Sequence, residues 1–173
     1  MSALPPDGSA APAPPTIDSR AAGQAALHWG FEAAMAEGAR RIICVDRDWV
    51  AWPLLDDAGL HQALAAWLKR PQRRLVLLGR GFERLSVRCA RLERWRADWM
   101  HAIEAWALPE EAPWAEPPTL LVSDGAVSVH LLDAETGRGR AEWDVRRARQ
   151  WCEEIDAAIQ RSERTWAVRP LGL

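Results

Sequence analysis

With 173 residues, 49% of them hydrophobic, and a formal net charge of −2, the chain is sized for one domain with its own core and is not a general coat for nucleic acid. It contains no run of about 18 apolar residues, which excludes a helical membrane span. Its first fifteen residues lack the basic start and apolar middle of a secretory signal, which predicts a cytoplasmic chain.

Three cysteines, Cys44, Cys89 and Cys152, form no C-x-x-C pair and sit in apolar periodic segments, so they are expected to be reduced and buried. A single lysine, Lys69, stands against many arginines, and there is neither tyrosine nor asparagine. GC-rich codon use produces that bias, so arginine alone carries little functional weight. The 11 tryptophans carry more. A buried indole N–H needs a partner, which predicts that some of these rings line a surface, a cleft or an interface.

Residues 1–17 are rich in Pro and Ala and read as a disordered tail; residues 18–173 read as a single α/β domain. Asp18 or Ser19 can cap a first helix that runs to about Glu37, where Gly38 supplies the stop. Residues 41–45 are a continuous apolar run, the signature of a strand covered on both faces. Asp56 or Asp57 caps a second helix with Leu60, Ala63, Leu64, Trp67 and Leu68 on its core face, and Pro71 follows its end. A second strand spans 75–78, a third helix 82–99 with Leu85, Cys89, Leu92 and Trp99 inward, and a third strand 102–108. After a Pro/Glu-rich loop, 119–123 and 126–132 flank Asp124-Gly125, a two-residue hairpin signal. A short strand at 138–143 and a helix from about Asp144, with Val145, Ala148, Cys152, Ile155 and Ile159 as its stripe, close the domain. The order predicts a mixed, mostly parallel sheet flanked by helices, with an antiparallel hairpin added late. Ligands of such sheets lie off the carboxyl ends of the parallel strands.

The order of elements carries a resemblance. A helix leads into a short strand, then Asp48-Trp49 and Leu54-Leu55-Asp56-Asp57; later come strand, Asp-Gly, strand, and a closing Arg161-Ser162 … Arg169-Pro170-Leu171. This resembles one half of a phospholipase D-like domain, as found in a group of uncharacterised proteobacterial proteins. The family's chemistry rests on H-x-K-x-x-x-x-D, whose histidine attacks phosphorus and whose lysine holds phosphate oxygens. With the motif's aspartate on Asp124, its histidine position falls on Pro117 and its lysine position on Thr119. Proline has no nucleophile and threonine no positive charge. The resemblance therefore implies the scaffold without the reaction, and a homodimer through the face where family halves meet.

Asp46-Arg47-Asp48 after the first strand superficially resembles the D-x-D of haloacid-dehalogenase-like phosphatases, in which two aspartates face Mg²⁺. A Mg²⁺-dependent phosphatase or phosphodiesterase using Asp46 and Asp48 is thus the rival reading. The plainer one is two turn-capping aspartates paired with arginines. His28, His61, His101 and His130 have no metal-ligand spacing, and neither a nucleophile elbow nor a phosphate-cradling loop is present. No metal or cofactor is expected.

From Lys69 to Arg96 ten basic residues face two acidic ones, and Arg84, Arg88 and Arg91 are spaced to share one helical face, which Arg94 extends. That face suits an anionic ligand, an acidic protein partner or, less well, nucleic acid. Glu104, Glu110, Glu111 and Glu116 offer complementary charge for self-association. The expectation is a non-catalytic binding or interaction module. Its contact residues would be Asp46, Asp48, Trp49, Trp52, Arg80 and Asp124. Arg80 would meet an anion, Asp48 would hold it or a polar group, and the two indoles would form an apolar wall.

Overall fold

The computed structural model describes residues 12–110 and 113–167. The first helix, α1 (Arg20–Ala36), begins at Ser19, whose hydroxyl accepts the Ala22 N–H, and stops at Gly38, which turns to φ +79°. It feeds β1 (Arg41–Asp46). A 3-10 turn (Pro53–Asp56) leads into α2 (Ala58–Leu68), capped by Asp57 through the Leu60 N–H at 2.7 Å. β2 (Arg74–Gly79) follows, then α3 (Glu83–Arg88), α4 (Ala90–Arg96) and β3 (Ile103–Ala107). β4 (Thr119–Ser123), β5 (Val127–Asp133), β6 (Arg138–Trp143), α5 (Val145–Ile159) and the two-residue β7 (Glu163–Arg164) complete the chain.

The seven strands form one open mixed sheet in the order β6-β5-β4-β1-β2-β3-β7. β1 pairs parallel with β2 and β2 with β3; the other four pairings are antiparallel. The α/β class holds, while a mostly parallel sheet does not. The hairpin docks against β1 rather than at the far edge, which brings β4, β5 and β6 into the same sheet.

β1 alternates its side chains between two cores. Ile42 and Cys44 face α1, α2, α3 and α4, with Leu75, Leu77, Leu121 and Val129. Ile43 and Val45 face α5, with Val76, Leu78, Leu120 and Val122. α5 turns Ala148, Trp151, Ile155 and Ala158 inward. Its stripe is rotated from the expected one: Val145 is exposed and Cys152 and Ile159 are only partly covered, because the Trp151 indole takes the place against His130 of β5.

Three further expectations change. The expected continuous helix over 82–99 breaks at Cys89 (φ −115°, ψ 62°), because Asp56 Oδ1 accepts the Arg91 and Leu92 N–H groups at 2.8 and 3.1 Å and starts a new helix there. Asp124-Gly125 is not a two-residue turn. Gly125 lacks a positive φ, and three residues bridge β4 and β5, held by Ser123 Oγ, which accepts from Gly125 N and Val127 N at 3.1 Å each. Glu37 at the end of α1 accepts the Ala126 N–H and the Ser123 hydroxyl. Residues 12–17 are not loose: Ile17 is buried and the Trp29 indole donates to Pro12 O at 2.7 Å. Residues 1–11 of the expected tail, and the Arg169-Pro170-Leu171 of the closing motif, lie outside the described residues. Among the described residues no helix is long and apolar enough to cross a membrane.

Candidate functional site

Register determines which expected site residues can meet. Asp46 pairs with Gly79, and Gly79 with Ala107, so the three parallel strands end level. β4 runs the other way. Val45 opposite Leu120 places Thr119 beside Asp46, whereas Ile42 opposite Ser123 places Asp124 beside Arg41, at the far end of β1. Five residue steps separate those ends, about 17 Å at strand rise. Asp124 is therefore not part of the site at the carboxyl end. Its Oδ1 accepts the backbone N–H groups of Arg40 and Arg41 at 3.0 and 3.2 Å and fixes the start of β1.

Asp46 is buried, with 5% of its surface exposed. Its Oδ1 accepts the Arg47 N–H at 2.7 Å and the Thr119 hydroxyl at 3.1 Å, while Oδ2 is buried without a hydrogen-bond partner. Burial pushes the carboxyl up to about 6; the Arg47 and Thr119 bonds oppose that, the Asp48 charge adds to it, and the nearby Trp52 N–H opposes it weakly. That indole N–H stops short of hydrogen-bond geometry and is itself unpartnered.

Trp49 and Trp52 do not wall a cleft. They are 2% and 0% exposed and belong to the core under α1 and α2. Trp49 takes φ +67°, a strained value for a bulky residue, and the turn aims its ring inward at Phe82 (centroids 5.3 Å) and Trp52 (5.8 Å). Its Nε1 lies over Gly79, where any Cβ would stand 2.8 Å from it and 2.7 Å from Asp46 O. Gly79 is thus the residue that lets the turn after β1 close over β2.

Arg80 is committed as well. Its Nη2 donates to the carbonyls of Glu110, Trp114 and Ala115 at 2.8, 3.3 and 2.8 Å, tying down the segment that leads to β4. Beside it opens a shallow cleft of about 570 Å³ lined by Arg47, Asp48, Arg80, Gly81, Glu83, Arg84 and Glu110. Three cations face three carboxylates there. Asp48 accepts from Arg84 at 3.3 Å and Arg47 donates to Glu116 at 3.1 Å, both pairs solvent-exposed. The cleft brings Asp48 and Arg80 together and leaves out Asp46, Trp49, Trp52 and Asp124.

The basic stripe is divided by the break at Cys89. Arg84 pairs with Asp48 and shares α3 with the exposed Arg88, while Arg91 and Arg94 are exposed on α4, on the other side of that kink. The expected acidic patch is spent inside the chain: Glu104 pairs with Arg74 and Arg164, and Glu116 with Arg47. Glu111 lies outside the described residues.

One cluster had no sequence signal. Arg96 is buried, donates to both oxygens of Glu93 and to Trp166 O, and stacks on the Trp166 ring at 3.6 Å. The Trp166 indole in turn donates to Ser86 Oγ at 2.6 Å and stacks on Phe82. This network fastens the chain after α5 to α3 and α4. The three cysteines are free. Burial raises the thiol of Cys44 and pushes those of Cys89 and Cys152 up to about 11, so none is a ready nucleophile. No group of three His, Cys, Asp or Glu able to hold a metal occurs among the described residues.

Compared with protein-family models, with curated proteins and with solved structures, the chain matches none.

Proposed function

We propose that the chain is a non-catalytic interaction module on a phospholipase D-like scaffold, meeting a protein partner through the charge-balanced cleft at the carboxyl end of its parallel strands. The observation that carries this is the commitment of the groups that would do chemistry. Thr119, at the family's lysine position, spends its hydroxyl on Asp46; Pro117, at its histidine position, is buried; Arg80 is bound to three carbonyls. The side chains left at the surface, Arg47, Asp48, Glu83, Arg84 and Glu110, set two cations and three carboxylates around an open depression. Such a surface suits a partner of mixed charge better than a polyanion, whose binding scales with the cations it neutralises.

The Mg²⁺-phosphatase reading has one observation in its favour: a carboxyl at Asp46 raised to about 6 with one unbonded oxygen, as an acid–base group would have. Against it, Asp46 lies beneath the surface and lines no part of the cleft.

Titration with a fluorescent single-stranded oligonucleotide at low and moderate salt tests the proposal. The expected result is weak binding unaffected by Arg88→Ala. Salt-steep binding that weakens in Arg84→Ala and Arg88→Ala would replace the interaction module by a nucleic-acid binder.

A further inference from the structure

Asp46 and Trp52 meet beneath the segment that leads from β1 into the 3-10 turn. β1 alternates its side chains, so Asp46 lies on the same face as Ile42 and Cys44. Trp49, at φ +67°, folds the chain back, and Pro53 opens the 3-10 turn directly after Trp52. Three polar atoms buried in this fold lack a hydrogen-bond partner: Asp46 Oδ2, Trp49 Nε1 and Trp52 Nε1. The Trp52 N–H acts on the Asp46 carboxyl without completing a bond to it. An acceptor and a donor thus stand close together, both buried and both unpaired.

The two charge states of Asp46 use these atoms differently. Oδ1 already accepts from Arg47 N and the Thr119 hydroxyl, so the proton of the neutral acid sits on Oδ2. An indole N–H is a donor only, so it cannot accept that proton, and the neutral acid leaves both groups unpaired. Once the proton leaves, Oδ2 is an anionic acceptor, and a bond from Trp52 offsets part of the cost of burying the charge. Trp52 packs on Trp49 with ring centroids 5.8 Å apart, so its movement reaches the apex of the turn. The ties along that apex are long. Val50 N bonds Asp48 Oδ1 at 3.2 Å, while Arg80 N to Arg47 O, Trp52 N to Trp49 O and Arg84 to Asp48 each span 3.3 Å. Bonds at the weak end of the range yield cheaply.

We propose that Asp46 and Trp52 form a proton-operated latch: loss of the Asp46 proton draws the Trp52 N–H onto Oδ2 and shifts the turn that presents Arg47 and Asp48. This goes beyond the reading of the cleft and does not depend on what the cleft binds. The charges about the turn set the direction. Asp48, on the turn itself, acts on Asp46 and opposes its ionisation. Arg47 is drawn outward to Glu116, Arg84 of α3 to Asp48, and Arg80 at the end of β2 to three carbonyls. β4 presents the neutral Thr119, and α1 the neutral Gln24, which donates to Ala51 O at 2.9 Å. With no cation drawn onto Asp46, burial dominates and the carboxyl titrates at about 6. The latch is therefore open below that pH and closed above it.

Nuclear magnetic resonance of the full, isotope-labelled chain between about pH 4 and about pH 8 tests this, with circular dichroism as a fold check on each variant. Sequential assignment identifies the Trp52 indole N–H. Its proton is expected to move downfield as pH rises, with a midpoint near 6, and the amides of Asp48, Trp49 and Val50 to shift with the same midpoint. In Asp46→Asn both responses are expected to vanish, a comparison that stands without any change to the core tryptophans. In Trp52→Phe the Asp46 carboxyl carbon is expected to titrate at a higher pH than in the wild type, since its anion has lost a donor. In Asp48→Asn it is expected to titrate at a lower pH, since a repelling charge is gone. An indole proton that ignores pH, or that responds unchanged in Asp46→Asn, overturns the inference. So do turn amides that stay still while Asp46 titrates, or an Asp46 midpoint that is unchanged or lower in a folded Trp52→Phe.

Discussion

The Thr119 hydroxyl donates to the Asp46 carboxylate at 3.1 Å, joining residues 73 positions apart at the carboxyl end of the central strand. The bond exists because β4 runs antiparallel to β1 with Leu120 opposite Val45. It occupies one oxygen of a buried carboxylate whose protonation burial shifts upward, and leaves the other oxygen without a partner.

Asp46 should make stability fall as pH rises. Its carboxyl is raised from 3.8 to about 6, so between those values the folded state holds a proton that the unfolded state has released. Above that window the folded protein carries a buried anion at a cost of up to about 3 kcal/mol. Asp46→Asn is expected to gain on the wild type across the window. Urea unfolding of both at about pH 4 and about pH 7 measures the gap. A gap that does not change with pH refutes the assignment.

Gly79→Ala should be strongly destabilising, because Gly79 is buried at the end of β2. The new Cβ would stand 2.7 Å from Asp46 O and 2.8 Å from Trp49 Nε1, and both belong to a buried turn with little room to shift. A loss of about 2 kcal/mol or more is expected, with a change in tryptophan fluorescence as the Trp49 ring is displaced.

Arg80→Ala leaves three carbonyls without the one guanidinium nitrogen that serves them all. The alanine variant is expected to lose about 1–3 kcal/mol and to be cut faster by protease next to Glu110 and Ala115. If Arg80 were instead a free anion-binding group, the alanine variant would be as stable as the wild type.

Ser123→Ala removes the oxygen that accepts both the Gly125 and Val127 N–H groups. A cost of about 2 kcal/mol is expected, with faster amide exchange confined to the β4–β5 connection and the end of α1. A loss within a few tenths of a kcal/mol would show that the turn is held by its backbone alone.

The elements were legible where periodicity and caps agree. Ser19, Asp57 and Asp144 each cap the helix that their position announced, and residues 41–45 are a strand buried on both sides. What sequence could not supply was pairing. Asp124 read as part of the site with Asp46 and Asp48 because it takes the place of the motif's aspartate, but the direction of β4 sends it to the other end of the sheet. Trp49 and Trp52 read as a wall because they flank a polar turn; a positive φ at Trp49 folds them inward instead. The break at Cys89 depends on a cap from Asp56, 35 residues from Arg91, and nothing local announces it. Arg80 read as a ligand because it stands at the carboxyl end of a parallel strand. Its partners are backbone carbonyls, which every sequence has and no sequence marks.

Whether the end of the sheet performs chemistry is decided by incubating the full chain with a generic aryl phosphate monoester and diester, each with and without Mg²⁺. The account predicts no turnover above buffer under any of the four conditions, in the wild type as in Asp46→Asn. Turnover by the wild type that is lost in Asp46→Asn would contradict it, and would make the raised carboxyl a working acid or base.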